Sequence, residues 1–438
     1  MTDLLAARSQ MAVSLGFHII FSCIGMVMPF LMAFANYKWL KTGQEDYHRL
    51  MKAWARGVAI FFAVGAVSGT VLSFELGLLW PGFMEHAGPI IGMPFSLEGA
   101  AFFLEAVALG LFLYGEKVLK PWVHFTSGVF VGISGVASGI LVVAANGWMN
   151  SPSGFDWVNG QALNVDPIAA MLNEAWFTQA LHMTLAAFVA TGFGVAGVHA
   201  WQYLKDRSKL LHLRALKIAL AFGAVAAFLQ PFSGHLSADD VAHRQPVKLA
   251  AMESHFETEK GASFVIGGIP DEEKGEVNYA IKIPYLLSIL AFTDPMAEVK
   301  GLDAFPRDEW PPVAIVHFAF QTMIAIGVLL MLIGVIFLFG QWKKPLLVRS
   351  SWFLKLLAFA TPLGFLAVEA GWVVTEVGRQ PWIIYGIMKT ADAVTPMPGI
   401  AYSFYLTTCI YLVLAILVFW LMGRQITVFN EEREVAHV

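Results

Sequence analysis

The sequence predicts an all-α, polytopic membrane protein with nine transmembrane helices, its N-terminus outside and its C-terminus inside. Three features predict it: a low charge content, long charge-free runs, and basic residues gathered in alternate connections. Of 438 residues, 57% are hydrophobic and 14% are charged, against about a quarter charged in soluble domains. One soluble core cannot hide that much apolar surface from water. Two cysteines are too few for a disulfide scaffold, and a net charge of −4 gives no basic footprint for nucleic acid.

The spans follow in order from where charge is absent. Residues 9–37 contain no Asp, Glu, Lys or Arg. They lack a small-residue cleavage site and outrun a signal-peptide apolar region, so they read as a mature first span. The second falls in 57–74, the fourth in 121–155, the fifth in 175–204, the sixth in 218–238, the seventh in 310–342 and the ninth in 393–423. Each run is near or above the roughly 20 apolar residues that cross a bilayer as a helix. The third and eighth are apolar but interrupted. Residues 86–115 carry only Glu98 and Glu105, and residues 356–378 only Glu369 and Glu376.

Lys and Arg set the orientation. Lys38, Lys41, Arg49, Lys52 and Arg56 lie in the first connection, and Lys117 and Lys120 in the third. Lys205, Arg207, Lys209, Arg214 and Lys217 lie in the fifth, and Lys343, Lys344 and Arg349 in the seventh. These connections are expected on the cytoplasmic side. The segment 236–310, with 14 acidic and seven basic residues, is then a long outer loop. It separates six spans in 1–235 from three spans and a short cytoplasmic tail in 311–438. Gly- and Pro-rich stretches 80–94 and 147–171 read as further outer loops, and no inverted internal repeat is visible.

A carboxylate at membrane depth is costly and asks for a function. Glu98 and Glu105, two helical turns apart, share one face of their span, and Glu369 and Glu376 repeat that spacing. The plain alternative is a helix end or a pair satisfied by a neighbouring helix. His18, His124, His182 and His317 also fall within spans. A lone intramembrane histidine serves as readily to hydrogen-bond a neighbouring helix as to bind a metal. Redox chemistry would use imidazole as an axial iron ligand, with Met or a second His opposite. No Cys-x-x-Cys-His occurs, which excludes covalent haem attachment. By span direction His18, Glu98, His182, Met323 and Glu376 all fall toward the outer face, as a haem cluster fed from that side requires.

At these residues the chain resembles a known family. Gly371-Trp372-Val373-Val374-Thr375-Glu376-Val377-Gly378-Arg379-Gln380-Pro381-Trp382 is similar to the GW-x-x-x-E-x-GRQPW signature of subunit I of cytochrome bd-type quinol oxidases. Gly147-Trp148-Met149-Asn150-Ser151-Pro152 resembles that family's GWM-x-x-P loop, and Lys248-Leu249-Ala250-Ala251-Met252-Glu253 its KLAA-x-E run. Arg8-Ser9-Gln10 before His18 and Glu174-Ala175-Trp176 before His182 stand in the family's register. The resemblance covers essentially the whole chain.

The resemblance implies roles. His182 and Met323 would be the axial ligands of a low-spin haem b. Glu376 and His18 would each serve one of two high-spin haems, one haem b and the other haem d or a third haem b, where O₂ is reduced. Glu98 would sit beside that pair, with Glu105, Ser138 and His124 on a proton path from the cytoplasm. Lys248 and Glu253 would engage quinol, Glu253 as a general base. Without the resemblance, a solvated charged loop is the better reading of those two. Arg379 and Arg8 would neutralise propionates, and Trp372 would pack between haems, although interfacial anchoring explains Trp372 and Trp382 equally well on composition. A second large membrane subunit, small single-span subunits and a bacterial inner-membrane location are implied too.

Two departures stand out. Many members have Arg two residues before the Met ligand. Here it is Gln321, whose lost charge would lower that haem's reduction potential. The loop after Glu253 is short, as in the short-loop branch with its cyanide-insensitive members, where haem d can be replaced by haem b. The mechanism implied is quinol oxidation outside, proton uptake from inside and O₂ reduction to water, building a proton-motive force without pumping. The rivals are a proton-coupled transporter without haem, which leaves the GRQPW string unexplained, and a haem-bearing anchor that does not reduce oxygen.

Overall fold

The structure is a computed structural model that describes residues 1–158 and 160–431. The short tail expected at the end of the 311–438 segment lies outside the described residues from position 432. In chain order the helices are α1 (Asp3–Thr42), α2 (Glu45–Leu79), α3 (Pro81–Tyr114), α4 (Pro121–Asn150), α5 (Pro167–Met171), α6 (Trp176–Lys205) and α7 (Leu210–Arg244). Then come α8 (Pro246–Glu253), α9 (Leu286–Phe292), α10 (Val313–Lys343), α11 (Ser351–Ala360), α12 (Leu363–Val377), α13 (Thr390–Ala393) and α14 (Ile400–Glu431). Among the described residues there are nine elements long and apolar enough to cross a membrane: α1–α4, α6, α7, α10, the α11–α12 pair and α14.

Local chemistry sets several boundaries. The Thr2 hydroxyl accepts the Leu5 N–H at 3.3 Å to open α1, and Asp3 sits in its first turn, where the helix dipole favours an anion. The helix stops at Gly43, whose φ of +64° lets its N–H reach Trp39 O. Pro81, Pro121 and Pro246 each occupy a first helical turn, where a missing N–H costs nothing. The eighth span breaks at Thr361–Pro362, so α11 and α12 are separate helices.

One expected loop is a helix. Residues 81–94 form the start of α3, despite Pro89 and Pro94. Phe83, Ala87, Ile90 and Ile91 recur at helical spacing and are buried with Leu79, Trp148 and Ile384. That apolar stripe outweighs the two missing backbone donors. As a result Glu98 stands at the middle of α3 rather than near its start. The stretch 147–171 is mostly loop as expected, although α4 runs to Asn150 and a hairpin pairs Asp156–Val158 with Gln161–Leu163.

Packing divides the molecule into two groups of helices. In one, α1 lies against α2 and α4, and α3 against α4; in the other, α6, α7, α10 and α11–α12 pack together. Helix α1 also touches α6, and α14 lies along α1 and α2. Small residues let the second group close. A Cβ on Gly192 would stand 2.6 Å from Gly223 Cα, and one on Gly364 2.5 Å from Ala190 Cα. Such approaches are how helices associate where no hydrophobic effect drives them together.

At the end bearing the Lys- and Arg-rich connections, Trp54 Nε1–H donates to His199 Nε2 at 3.2 Å. His199 Nδ1 meets His212 Nδ1 at 2.8 Å, and His212 Nε2 meets Asn430 Oδ1 at 3.0 Å. An indole N–H can only donate, so two neutral rings must each carry their proton on the side away from Trp54. This chain ties α2, α6, α7 and α14 together. It adds His199 and His212 to the four helix-borne histidines expected from the sequence.

The long loop is ordered. Helix α7 continues to Arg244, which pairs with Asp240 at 2.5 Å, and α8 follows directly. Strands Phe264–Ile266 and Ile281–Ile283 pair, and Ile269–Asp271 pairs with Glu276–Asn278, extending the same hairpin. A shorter pairing of Glu259–Lys260 with Glu298–Val299 closes the loop's base.

Candidate functional site

The three strings singled out in the sequence meet in one hydrogen-bonded network. Lys248 Nζ, from α8, donates to Asn150 Oδ1 at 2.7 Å. Asn150 Nδ2 donates to Asn146 Oδ1 at 3.1 Å, and the Asn146 amide donates to Glu376 Oε1. Arg379 Nη2 closes the line on Glu376 Oε2 at 2.6 Å. Local structure explains the reach. Asn146 and Asn150 are one turn apart on the last turns of α4, and Glu376 and Arg379 flank the end of α12. Gly378 lets the Lys248 chain pass, since a Cβ there would stand 3.1 Å from Lys248 Cγ. Arg379 is 2% exposed and its Nη1 has no partner.

Burial sets the electrostatics of the loop. Lys248 is pulled down to about 7, mainly by desolvation and then by the Arg379 charge, with Glu376 opposing. Glu253 is pushed up to about 8 by desolvation, against the nearby Val265 N–H. Its Oε2 is buried without a partner. Desolvation also lowers His255.

The loop is fixed to α10. Gln321 Nε2 donates to Val265 O at 2.8 Å and its Oε1 accepts the Gly267 N–H at 3.0 Å. One turn earlier His317, fully buried, sets Nδ1 at 2.9 Å from Met252 O and Nε2 at 3.1 Å from Gly267 O. Gln321, which carries no charge to set beside a haem, thus has a bonding role of its own in the loop. Both ends of its amide are spent on the loop backbone.

The remaining candidates lie within the helices. His182 on α6 meets Ser233 Oγ at 3.0 Å and Gln230 Nε2 at 3.2 Å, both from α7. Met323 Sδ lies 3.1 Å from where a Gly371 Cβ would be. Trp372 packs with Ile19 and Ala187 at the junction of α1, α6 and α12. His18 places its two ring nitrogens 2.9 Å from the Ser68 and Ser22 hydroxyls. Arg8 is exposed near the start of α1 and joins none of these contacts.

On α3, Glu98 Oε1 accepts from Ser138 Oγ at 2.9 Å. Buried Glu105 turns to the same helix, its Oε1 3.3 Å from where a Gly135 Cβ would be. The two glutamates therefore share a face, as their spacing predicts. Two turns on, His124 receives Asn36 Nδ2 at 3.0 Å on Nδ1 and faces Phe112 O at 2.8 Å with Nε2, so both nitrogens are engaged.

Comparison with known proteins bears on this arrangement. A family model described as cytochrome bd terminal oxidase subunit I matches residues 6–428. The chain belongs to the cytochrome bd terminal oxidase subunit I family. It is 37% identical to a putative cytochrome bd menaquinol oxidase subunit I of Bacillus subtilis, over 96% of each chain. It is 30% identical to cytochrome bd ubiquinol oxidase subunit 1 of the same organism, over 97% of this chain and 94% of that one. A solved bd oxidase from Geobacillus thermodenitrificans superposes with a TM-score of 0.92 at 36% identity, covering 97% of this chain and 98% of the other. The chain is thus a multi-pass bacterial membrane protein and a haem-dependent subunit of a respiratory terminal oxidase. The transporter reading is set aside.

The residues present suit a haem-binding cytochrome bd subunit. His182 and Met323 offer the imidazole and thioether donors typical of low-spin iron. Gly234, whose Cβ would stand 3.6 Å from His182 Cε1, and Gly371 beside Met323 leave room next to those donors, and Gln230, now 3.2 Å from His182 Nε2, would give way to iron. The orphaned Nη1 of buried Arg379 suits a propionate. Sequence reasoning missed Asn146 and Ser233, neutral residues that charge mapping does not register. It also missed Glu75, which it took as the edge of a charge-free run. Glu75 is buried between helices and accepts from Gln10 Nε2 at 2.8 Å and Ser14 Oγ at 2.9 Å.

Proposed function

We propose that this subunit oxidises quinol at the outer face of the bacterial cytoplasmic membrane and supports reduction of O₂ to water with protons from the cytoplasm. The observation that carries the reading is the line Lys248–Asn150–Asn146–Glu376–Arg379, which joins the long loop to the helix ends in one polar strip. The named relatives are menaquinol and ubiquinol oxidases, and this chain acts as a quinol oxidase subunit. Bound haem supplies electron transfer and oxygen reduction.

The chain's own groups do the rest. Glu253, at the end of α8 with an unpartnered oxygen, takes a quinol hydroxyl proton, and Lys248 orients the headgroup. His182 and Met323 hold a low-spin haem b. His18 and Glu376 each serve a high-spin haem, one of type b and one of type d or b. Arg379 and Arg8 balance propionates, and Trp372 fills the space between. Glu376 would offer a carboxylate oxygen to iron while Asn146 and Arg379 hold the group in place, since each oxygen keeps a second lone pair. On the proton side Glu105, Ser138 and Glu98 form the inner track, with His124 at its entrance.

The N-terminus lies outside and the C-terminus inside. The 236–310 segment forms the quinol loop between a six-span unit, 1–235, and a three-span unit, 311–438. A second large subunit and small single-span subunits complete the enzyme. A reduced-minus-oxidised visible spectrum and oxygen consumption on a quinol test the reading together. A protein without a haem Soret band, or one that consumes no oxygen with quinol, ends it.

A further inference from the structure

We infer that His317 and Gln321 are positioning residues for quinol oxidation, clamping the loop hairpin to α10 so that Glu253 is presented to the substrate. The inference rests on the functional reading above. Its geometry is independent of that reading. Gln321 spends both ends of its amide on the hairpin, at Val265 O and Gly267 N–H. His317 stands between Gly267 O and Met252 O, the residue before Glu253; a neutral imidazole donates one N–H, so it bonds one of the two carbonyls and packs against the other. Val265, gripped at its carbonyl by Gln321, lies close enough for its backbone N–H to favour the ionised Glu253 carboxylate. The two sides of the Glu253 pocket, the end of α8 and the strand Phe264–Ile266, are thus held by two side chains one helical turn apart.

Other contacts in the area do not replace this hold. The hairpin's own pairing with Ile281–Ile283 fixes its shape and leaves its position over α8 unset. Tyr279 at 92% and Ile281 at 67% exposure leave the outer edge of the far strand in the open, while Val277 packs toward α8 and Arg307 donates to Glu272 O at the hairpin's turn. The clamp also sits two residues from Met323, so one helix carries both the grip on the loop and a haem-ligand candidate. A shift of α10 would be felt beside Glu253 through the two Gln321 hydrogen bonds to the hairpin and the His317 ring packed between Gly267 and Met252.

The test is Gln321→Met in the intact oxidase complex, which keeps the side-chain volume and removes both hydrogen bonds. Losing two such bonds is expected to raise the KM for quinol about tenfold with little change in kcat. Amide exchange across 264–268 should quicken, and the low-spin haem band should stay in place. Gln321→Glu, which keeps only the acceptor for Gly267 N–H, should fall between wild type and the methionine variant in exchange. An unchanged KM in an active enzyme overturns the clamp, as does loss of the low-spin band, which would return Gln321 to the haem pocket. A wild-type protein that does not oxidise quinol would sink the functional reading instead, whatever the exchange rates.

Discussion

At Glu253 the chemistry turns on a proton. Desolvation holds the acid to about 8, and a base works only once it has lost its proton. The kcat/KM for quinol is therefore expected to climb as pH rises toward that value. Glu253→Gln should flatten the climb and lower kcat/KM by about 10²-fold, while electron entry from an artificial reductant survives. A variant with the wild-type pH profile would remove Glu253 from the reaction. The same shift costs stability: folding loses ground as pH rises from 4.5 to about 8, where the folded acid must ionise in burial. Lys248 runs oppositely, with its cost growing as pH falls from 10.5 to about 7. Met323→Leu should abolish the low-spin haem signature and spare CO binding; an unaltered spectrum would refute that ligand. The residues legible in the sequence were those bearing charge or a ring nitrogen. Asn146 and Ser233 carry no charge that a bilayer would penalise, so only their partners in space reveal them.

Single helices repeat the lesson in another form. Charge-free runs located α1, α4, α6, α10 and α14 because a bilayer demands such runs. They misjudged α3, where prolines suggested a loop at 80–94 and a buried stripe of Phe83, Ala87, Ile90 and Ile91 makes a helix instead. Composition also cannot say how closely two helices approach. Gly192→Ala, which sets a Cβ 2.6 Å from the Gly223 backbone, should destabilise the α6–α7 pair by about 1–3 kcal/mol, read as a lower Tm in detergent. Gly327→Ala on α10 meets nothing within 4 Å and should leave Tm level or slightly raised. Equal effects from the two would show that the close approach is not what holds these helices.

For the whole molecule, the basic connections predict a definite sidedness. With Cys23 and Cys409 replaced by serine, K282C in the long loop should react with an impermeant maleimide on intact cells, and K117C only after permeabilisation. The reverse pattern would invert the proposed topology and place quinol oxidation on the wrong face. Sequence patterning reached the nine spans since each is a local property. The meeting of three distant strings in one strip was out of its reach, because no periodicity connects residues 146, 248 and 376. That strip has a consequence for anyone building hybrids of this oxidase. A graft of the 236–310 loop from a relative brings its own placing of the lysine at 248 but leaves Asn150 and Gly378 behind. The unit that can be exchanged is the loop together with the last turn of α4 and the end of α12, and a transplant that ignores this grouping severs the strip at its first joint.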